Sequence, residues 1–255
     1  MKCAILYTSH ENTYEWDFSA RFLDRLPDES ILKNADILAY VNSQKVSATQ
    51  IENYLLKFPN KNKRLFYSPV NGHTIFKDLD LTSEPQQINI KKKMSSSPGW
   101  FAGTLEAYFL TFPLLRSYDY VIHLNIDCYV TNHENIEKYM LKNFPNDISH
   151  HFSRFRSGPT SGLTTSSQIY RPNKFKYNHF ENYKKTIKKY CSQKLFNDRK
   201  SLNQKDWVPT EIIMKKMLKD NEIKYNIFCE QKGRNDFGLL HSHDKERIKL
   251  LLNIK

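Results

Sequence analysis

Two oxygen-bearing side chains two residues apart, Asn125 and Asp127, close an otherwise apolar run from Tyr118 to Val130, YDYVIHLNIDCYV. Tyr120, Val121, Ile122 and Leu124 are β-prone, and their composition reads as a strand buried on both faces. A carboxylate at the end of such a strand is expensive to desolvate unless positive charge meets it. A metal ion, an Arg or Lys, or a helix N-terminus can supply that charge. On an exposed turn, side chains at i and i+2 can face one divalent cation and the phosphates it carries. The alternative is an ordinary strand end whose aspartate is solvated.

The elements around this turn set where it can sit. Cys3–Tyr7, Ala35–Val41 and Arg64–Tyr67 read as strands. Between them, Tyr14–Leu26 and Ser47–Phe58 carry apolar residues at helical spacing, with Ser47 as an N-cap. This alternation predicts an α/β fold built on a parallel sheet. Trp100–Arg116 is a strong helix leading into the acidic strand, and Asn135–Asn143 a short helix capped by Asn132. Strands follow at Ile148–Phe155, Thr165–Tyr170 and Tyr225–Cys229, with helices at Tyr177–Leu195 and Pro209–Asp220. Asp78–Pro98, Gly158–Gly162, Asn197–Gln204 and Gln231–Phe237 read as loops, and His241 onward leads into a terminal helix.

Composition narrows the classes. A chain of 255 residues is one large domain with ample core. Lys and Arg outnumber Asp and Glu by 39 to 27, a formal charge of +12 that favours anionic partners. The excess is dispersed, and no basic recognition helix or RNA-binding signature occurs, so nucleic-acid binding ranks last. Cys3, Cys128, Cys191 and Cys229 form no paired or zinc-type spacing, which points to a reducing compartment. Polar Ser9, His10 and Glu11 interrupt the start, so no signal peptide is read, and no run is long enough to span a bilayer. The expected location is the cytoplasm, with peripheral membrane contact through basic residues.

The order of parts resembles the GT-A-type glycosyltransferases, which transfer sugar from a nucleotide-diphosphate donor. Asn125-Ile126-Asp127 is similar to their Asp-x-Asp signature, with Asn in place of the first acid. TTSSQIYRP, Thr164–Pro172, resembles the strand and Arg-Pro turn that follow it. DWVPTEII, Asp206–Ile213, resembles the acidic helix start near the acceptor hydroxyl, and GLLHSHDKERI, Gly238–Ile248, the closing histidine segment. The resemblance implies a Rossmann-type, mixed and mostly parallel sheet flanked by helices in a single domain, 1–255. Residues to about 130 would form the nucleotide-sugar half, and about 131–255 the acceptor side.

It also implies roles. Asp127 would hold Mn²⁺ or Mg²⁺, with Asn125 as a weaker neutral ligand and His241 or His243 completing the shell. Metal dependence is the property that Asn125 puts in question. Glu211 or Asp206 would act as base toward the acceptor in an inverting reaction; equally, Glu211 suits first-turn helix stabilisation. Thr8 and Ser9 end the first strand, where open α/β sheets bind ligands. Lys91, Lys92 and Lys93 offer point charges to a diphosphate, and Arg116 and Arg171 bidentate ones. Trp207, beside Asp206, could stack a glycan or glycolipid acceptor. No glycine-rich phosphate fingerprint or P-loop occurs. A non-catalytic nucleotide- or glycan-binding protein of the same fold is the competing expectation.

Overall fold

The computed structural model describes residues 1–9, 16–42, 46–68, 107, 111, 114–144, 150–154, 163–174, 218–220, 222–228, 238–241 and 245–252. The first half alternates strand and helix as the sequence predicts: β1 Cys3–Ser9, α1 Trp16–Asp24, β2 Asp36–Asn42, α2 Ala48–Leu55 and β3 Lys63–Ser68. β4 is Tyr120–Asn125, and a turn at Ile126 and Asp127 separates it from β5, Cys128–Val130. α3 follows at His133–Lys138, then β6 His150–Arg154, β7 Leu163–Tyr170, β8 Tyr225–Phe228, β9 Leu239–His241 and α4 Lys245–Leu251. Residues 107, 111, 114 and 115 are helical, in line with the helix expected before β4, and 218–220 with the one expected to end at Asp220. The helix expected at Tyr177–Leu195 and the loops expected at Asp78–Pro98, Gly158–Gly162, Asn197–Gln204 and Gln231–Phe237 lie outside the described residues.

Seven strands form one sheet in the order β3-β2-β1-β4-β7-β6-β8. β3, β2, β1 and β4 run parallel, β7 is antiparallel to both β4 and β6, and β8 is parallel to β6. The sheet is therefore mixed and mostly parallel. The chain lays β2 and β3 on one side of β1 and then crosses to place β4 on the other. That reversal is a topological switch point, where diverging connections leave a crevice beyond the carboxyl ends of β1 and β4.

All seven residues of β1 are buried, as are Tyr120 to Leu124 of β4, which explains why both are apolar apart from Thr8, Ser9 and His123. Ile5, Tyr7, Ile37, Ala39, Val41, Ile122 and Leu124 share one face with Trp16, Leu23, Ile51 and Phe58. The Tyr7 ring lies 5.7 Å from Trp16 and 5.3 Å from Phe58, which pins α1 and the end of α2 to the centre of the sheet.

Local signals set the helix starts. The Ser47 hydroxyl accepts from Gln50 N–H, and Gln50 Oε1 accepts from Ser47 N–H, closing a capping box. Asn132 Oδ1 accepts from Asn135 N–H at 3.0 Å, so α3 starts earlier than expected and passes into a π turn at Tyr139–Asn143.

The C-terminal histidine segment leads into a terminal helix as expected, after a short strand. His241 ends β9, which pairs antiparallel with β5, and α4 begins at Lys245. Gly238 makes this possible. It has φ +97°, and a Cβ there would lie 2.4 Å from the Asn132 carbonyl oxygen. Its own carbonyl accepts from Thr131 N–H at 2.8 Å. Only glycine allows so close an approach in the left-handed region.

Candidate active site

Five polar side chains end the parallel strands at the switch point. Thr8 and Ser9 close β1, Asn42 closes β2, Ser68 closes β3 and Asn125 closes β4. Register aligns Thr8 with Asn125, and Asn42 with Ser68. By strand alternation Thr8, Asn42, Ser68 and Asn125 lie on one face of the sheet, and Ser9 on the other. Apolar burial ends here and a polar rim begins, with Thr8, Ser9, Asn42 and Ser68 all buried.

The rim is tied together across the switch point. Thr8 Oγ1 donates to Asn125 Oδ1 at 2.8 Å. Thr8 Oγ1 also lies 3.2 Å from His123 Nε2. The hydroxyl has one proton, already committed to Asn125, so its oxygen accepts from His123 and Nε2 carries the ring hydrogen. His123 is 1% exposed, and burial pushes its imidazole down to about 3, so the ring is neutral. Two residues on from Asn125, the turn presents Asp127, whose Oδ1 lies 3.7 Å from the Cys128 thiol. Pairing of β9 with β5 sets the His241 backbone opposite that of Cys128, one residue from Asp127.

Thr8, Ser9, Asn125 and Asp127 are thus brought together at the carboxyl ends of β1 and β4, and the backbone of His241 comes alongside. Arg171 is not. It follows β7 at the amino end of β4, five residues and roughly 17 Å of strand from Asn125. There its guanidinium donates to the Tyr120 hydroxyl at 3.0 Å and the Phe144 carbonyl at 3.1 Å, and stands 4.5 Å from the Phe144 ring centre. Antiparallel pairing of β7 with β4 carries the Arg-Pro turn away from the rim. Lys93, Asp206, Trp207, Glu211 and His243 lie outside the described residues, as do Lys91 and Lys92.

His123, Asn42 and Ser68 escaped the reading of the sequence. The signal for His123 was its place two residues before Asn125, hence on the same face of the strand. For Asn42 and Ser68 it was a polar residue closing each of two otherwise apolar strands, the same pattern as Asn125.

As donors to a divalent ion, Asp127 supplies one carboxylate, while the Oδ1 of Asn125 already accepts from Thr8. Among the described residues no group of three or more His, Cys, Asp or Glu could hold a metal ion. One carboxylate nonetheless fits Mg²⁺ or Mn²⁺, which commonly keep waters and substrate phosphates for the rest of the shell.

No family model matches the sequence, and no curated protein sequence matches it. Solved structures do match. Mouse xyloside xylosyltransferase 1 in its apo form is 9% identical, with a TM-score of 0.52 over 95% of this chain and 98% of that one. The galactosyltransferase LgtC, in complex with donor and acceptor sugar analogs, is 12% identical, with a TM-score of 0.52 over 98% and 95%. The bifunctional glycosyltransferase WbbM is 11% identical, with a TM-score of 0.51; the match covers 89% of this chain and 38% of WbbM. The fold is that of the GT-A-type glycosyltransferases, a Rossmann-type mixed, mostly parallel sheet flanked by helices.

Among the described residues no helix is long and apolar enough to cross a membrane.

Proposed function

We propose that the protein is a glycosyltransferase that moves a sugar from a nucleotide-diphosphate donor, a UDP-sugar first among them, to a glycan or glycolipid acceptor. One observation carries this reading: the turn bearing Asp127 projects beside the Thr8–Asn125 bond that bridges β1 and β4, at the switch point of a GT-A-type sheet. That crevice is where an open α/β sheet takes a nucleotide.

Sugar transfer requires stabilising the negative charge that grows on the departing diphosphate. Asp127 would hold Mn²⁺ or Mg²⁺, with His241 or His243 as the nitrogen ligand. When bound, the ion supplies positive charge against the diphosphate. Thr8 and Ser9 would contact the nucleotide, Lys93 would add charge from the segment preceding β4, and Trp207 would stack the acceptor. Asp206 or Glu211 would take the acceptor's hydroxyl proton if the reaction inverts. The expected setting is the cytoplasm, against a membrane surface through basic side chains.

The test is hydrolysis and transfer with a panel of UDP- and GDP-sugars, with and without Mn²⁺. Turnover of one donor supports the reading. No binding and no turnover of any donor overturns it. Binding without turnover favours a nucleotide-binding protein that keeps the fold. The specific observation on that side is the amide at position 125, which leaves one carboxylate in the signature.

A further inference from the structure

We propose that Asn125 serves the nucleotide as a hydrogen-bond donor, held in that orientation by Thr8 and His123, and that the pocket therefore admits a nucleoside diphosphate without a metal ion. This rests on the nucleotide-sugar reading above and adds to it a role for three residues.

His123 Nε2–H donates to Thr8 Oγ1, and Thr8 O–H donates to Asn125 Oδ1 at 2.8 Å. Every hydrogen in this chain points toward Asn125, and it passes through a ring that burial keeps neutral. Reversing it would require the Asn125 amide to turn over and His123 to move its proton to Nδ1. The orientation placed in the structure is self-consistent, with one proton on Thr8 and a neutral ring. With Oδ1 drawn toward β1, Nδ2 and its two hydrogens lie on the opposite side of Cγ. Asn125 is only half-buried, and among the described residues Thr8 is its sole hydrogen-bond partner. Its two N–H donors are thus available to a ligand at the rim, and acceptor oxygens are what they suit.

Charge follows the same direction. An aspartate at 125 would put two carboxylates on one turn, and a diphosphate could approach only after a divalent cation had offset them. The amide removes one of those charges and replaces an acceptor with two donors. Asp127 remains the one anion of the pair, and its repulsion toward phosphate is countered by Asn125 N–H groups, each a charge-assisted bond when the acceptor is a phosphate oxygen.

The experiment is calorimetric titration of the full chain with UDP and with GDP, in EDTA and in Mn²⁺, for the wild type, Asn125→Asp, Thr8→Val and Thr8→Ser. The wild type is expected to bind one of them in EDTA, within about tenfold of its affinity in Mn²⁺. Asn125→Asp should lose at least tenfold in EDTA and recover in Mn²⁺. Thr8→Val should weaken binding in EDTA several-fold, and Thr8→Ser, which keeps the hydroxyl, should restore it. Wild-type binding in Mn²⁺ but not in EDTA overturns the proposal while sparing the nucleotide-sugar reading. So does Asn125→Asp binding as tightly as wild type in EDTA, or Thr8→Val lowering the melting temperature with affinity unchanged. Failure of the wild type to bind either nucleotide under both conditions overturns the nucleotide-sugar reading itself.

Discussion

The backbone of His241 pairs with that of Cys128, so the strand near the C-terminus runs directly beside the turn that carries Asp127. Residues 113 positions apart, the difference between 241 and 128, thereby share one two-stranded ribbon. The ribbon packs through Cys128, Val130 and Leu239 onto the main core, and through Tyr129 onto Ile248 and Leu252 of the C-terminal segment. The candidate site is consequently braced from both ends of the chain.

Asp127 is the first residue to test. Asp127→Ala should lower kcat/KM for transfer by about 100-fold or more, the scale of losing charge stabilisation at a departing group. Because the side chain sits on a turn and is partly exposed, thermal stability should shift by no more than about 0.5 kcal/mol. Full retained activity would clear Asp127 of any part in the reaction.

Arg171→Lys should separate structure from ligand binding. The guanidinium fork is shared among the Tyr120 hydroxyl, the Phe144 carbonyl and two aromatic rings, a geometry that lysine cannot reproduce. The expected loss is about 1–3 kcal/mol in denaturant unfolding, with nucleotide affinity unchanged. A variant as stable as the wild type but weaker for nucleotide would return Arg171 to the donor site.

Gly238→Ala should destabilise the ribbon. A methyl group would meet the Asn132 carbonyl at 2.4 Å in a backbone conformation that L-residues avoid. The cost should be about 1–3 kcal/mol, read as a drop of several degrees in melting temperature. Since Gly238 opens the segment that ends at His241, donor turnover should fall with it. Differential scanning calorimetry that finds the variant as stable as wild type would contradict this account.

Cys3 should resist alkylation and mark alkaline destabilisation. Burial, then the carboxylates of Glu137, Asp119 and Asp36, push its thiol from 9.0 up to about 12. At pH 8 iodoacetamide should label it only through opening of the fold, at least about a thousandfold more slowly than in urea. The folded pKa is raised, so its contribution is intact below pH 9 and is lost as pH climbs from 9 toward 12. The slope approaches about 1.4 kcal/mol per pH unit. Cys3→Ala should flatten that limb of the stability profile; an unchanged slope in urea titrations between pH 9 and 11 would rule the thiol out.

Much of the architecture is legible along the chain because its causes are local. Unbroken apolar runs mark β1, β2 and β4 because a strand covered on both faces has no polar side to show. Ser47 and Asn132 mark helix starts because a side-chain acceptor three residues before a backbone N–H needs no distant partner. The polar end of the YVIHLN strand, with Asp127 on the turn after it, shows by the same logic, as polar groups where burial must stop. What lay between chain-distant residues was decided only by tertiary structure. Arg171 reads as a phosphate ligand until the antiparallel pairing of β7 with β4 carries it to the far end of the sheet. His241 reads as the lead into the terminal helix, and only the edge of β5 makes its own segment a strand. His123 draws no notice in the sequence, and gains a role only once β1 and β4 become neighbours and Thr8 is placed within reach of both it and Asn125. Strand order depends on which apolar faces meet after collapse, and that sum over many weak contacts has no signature at any one position.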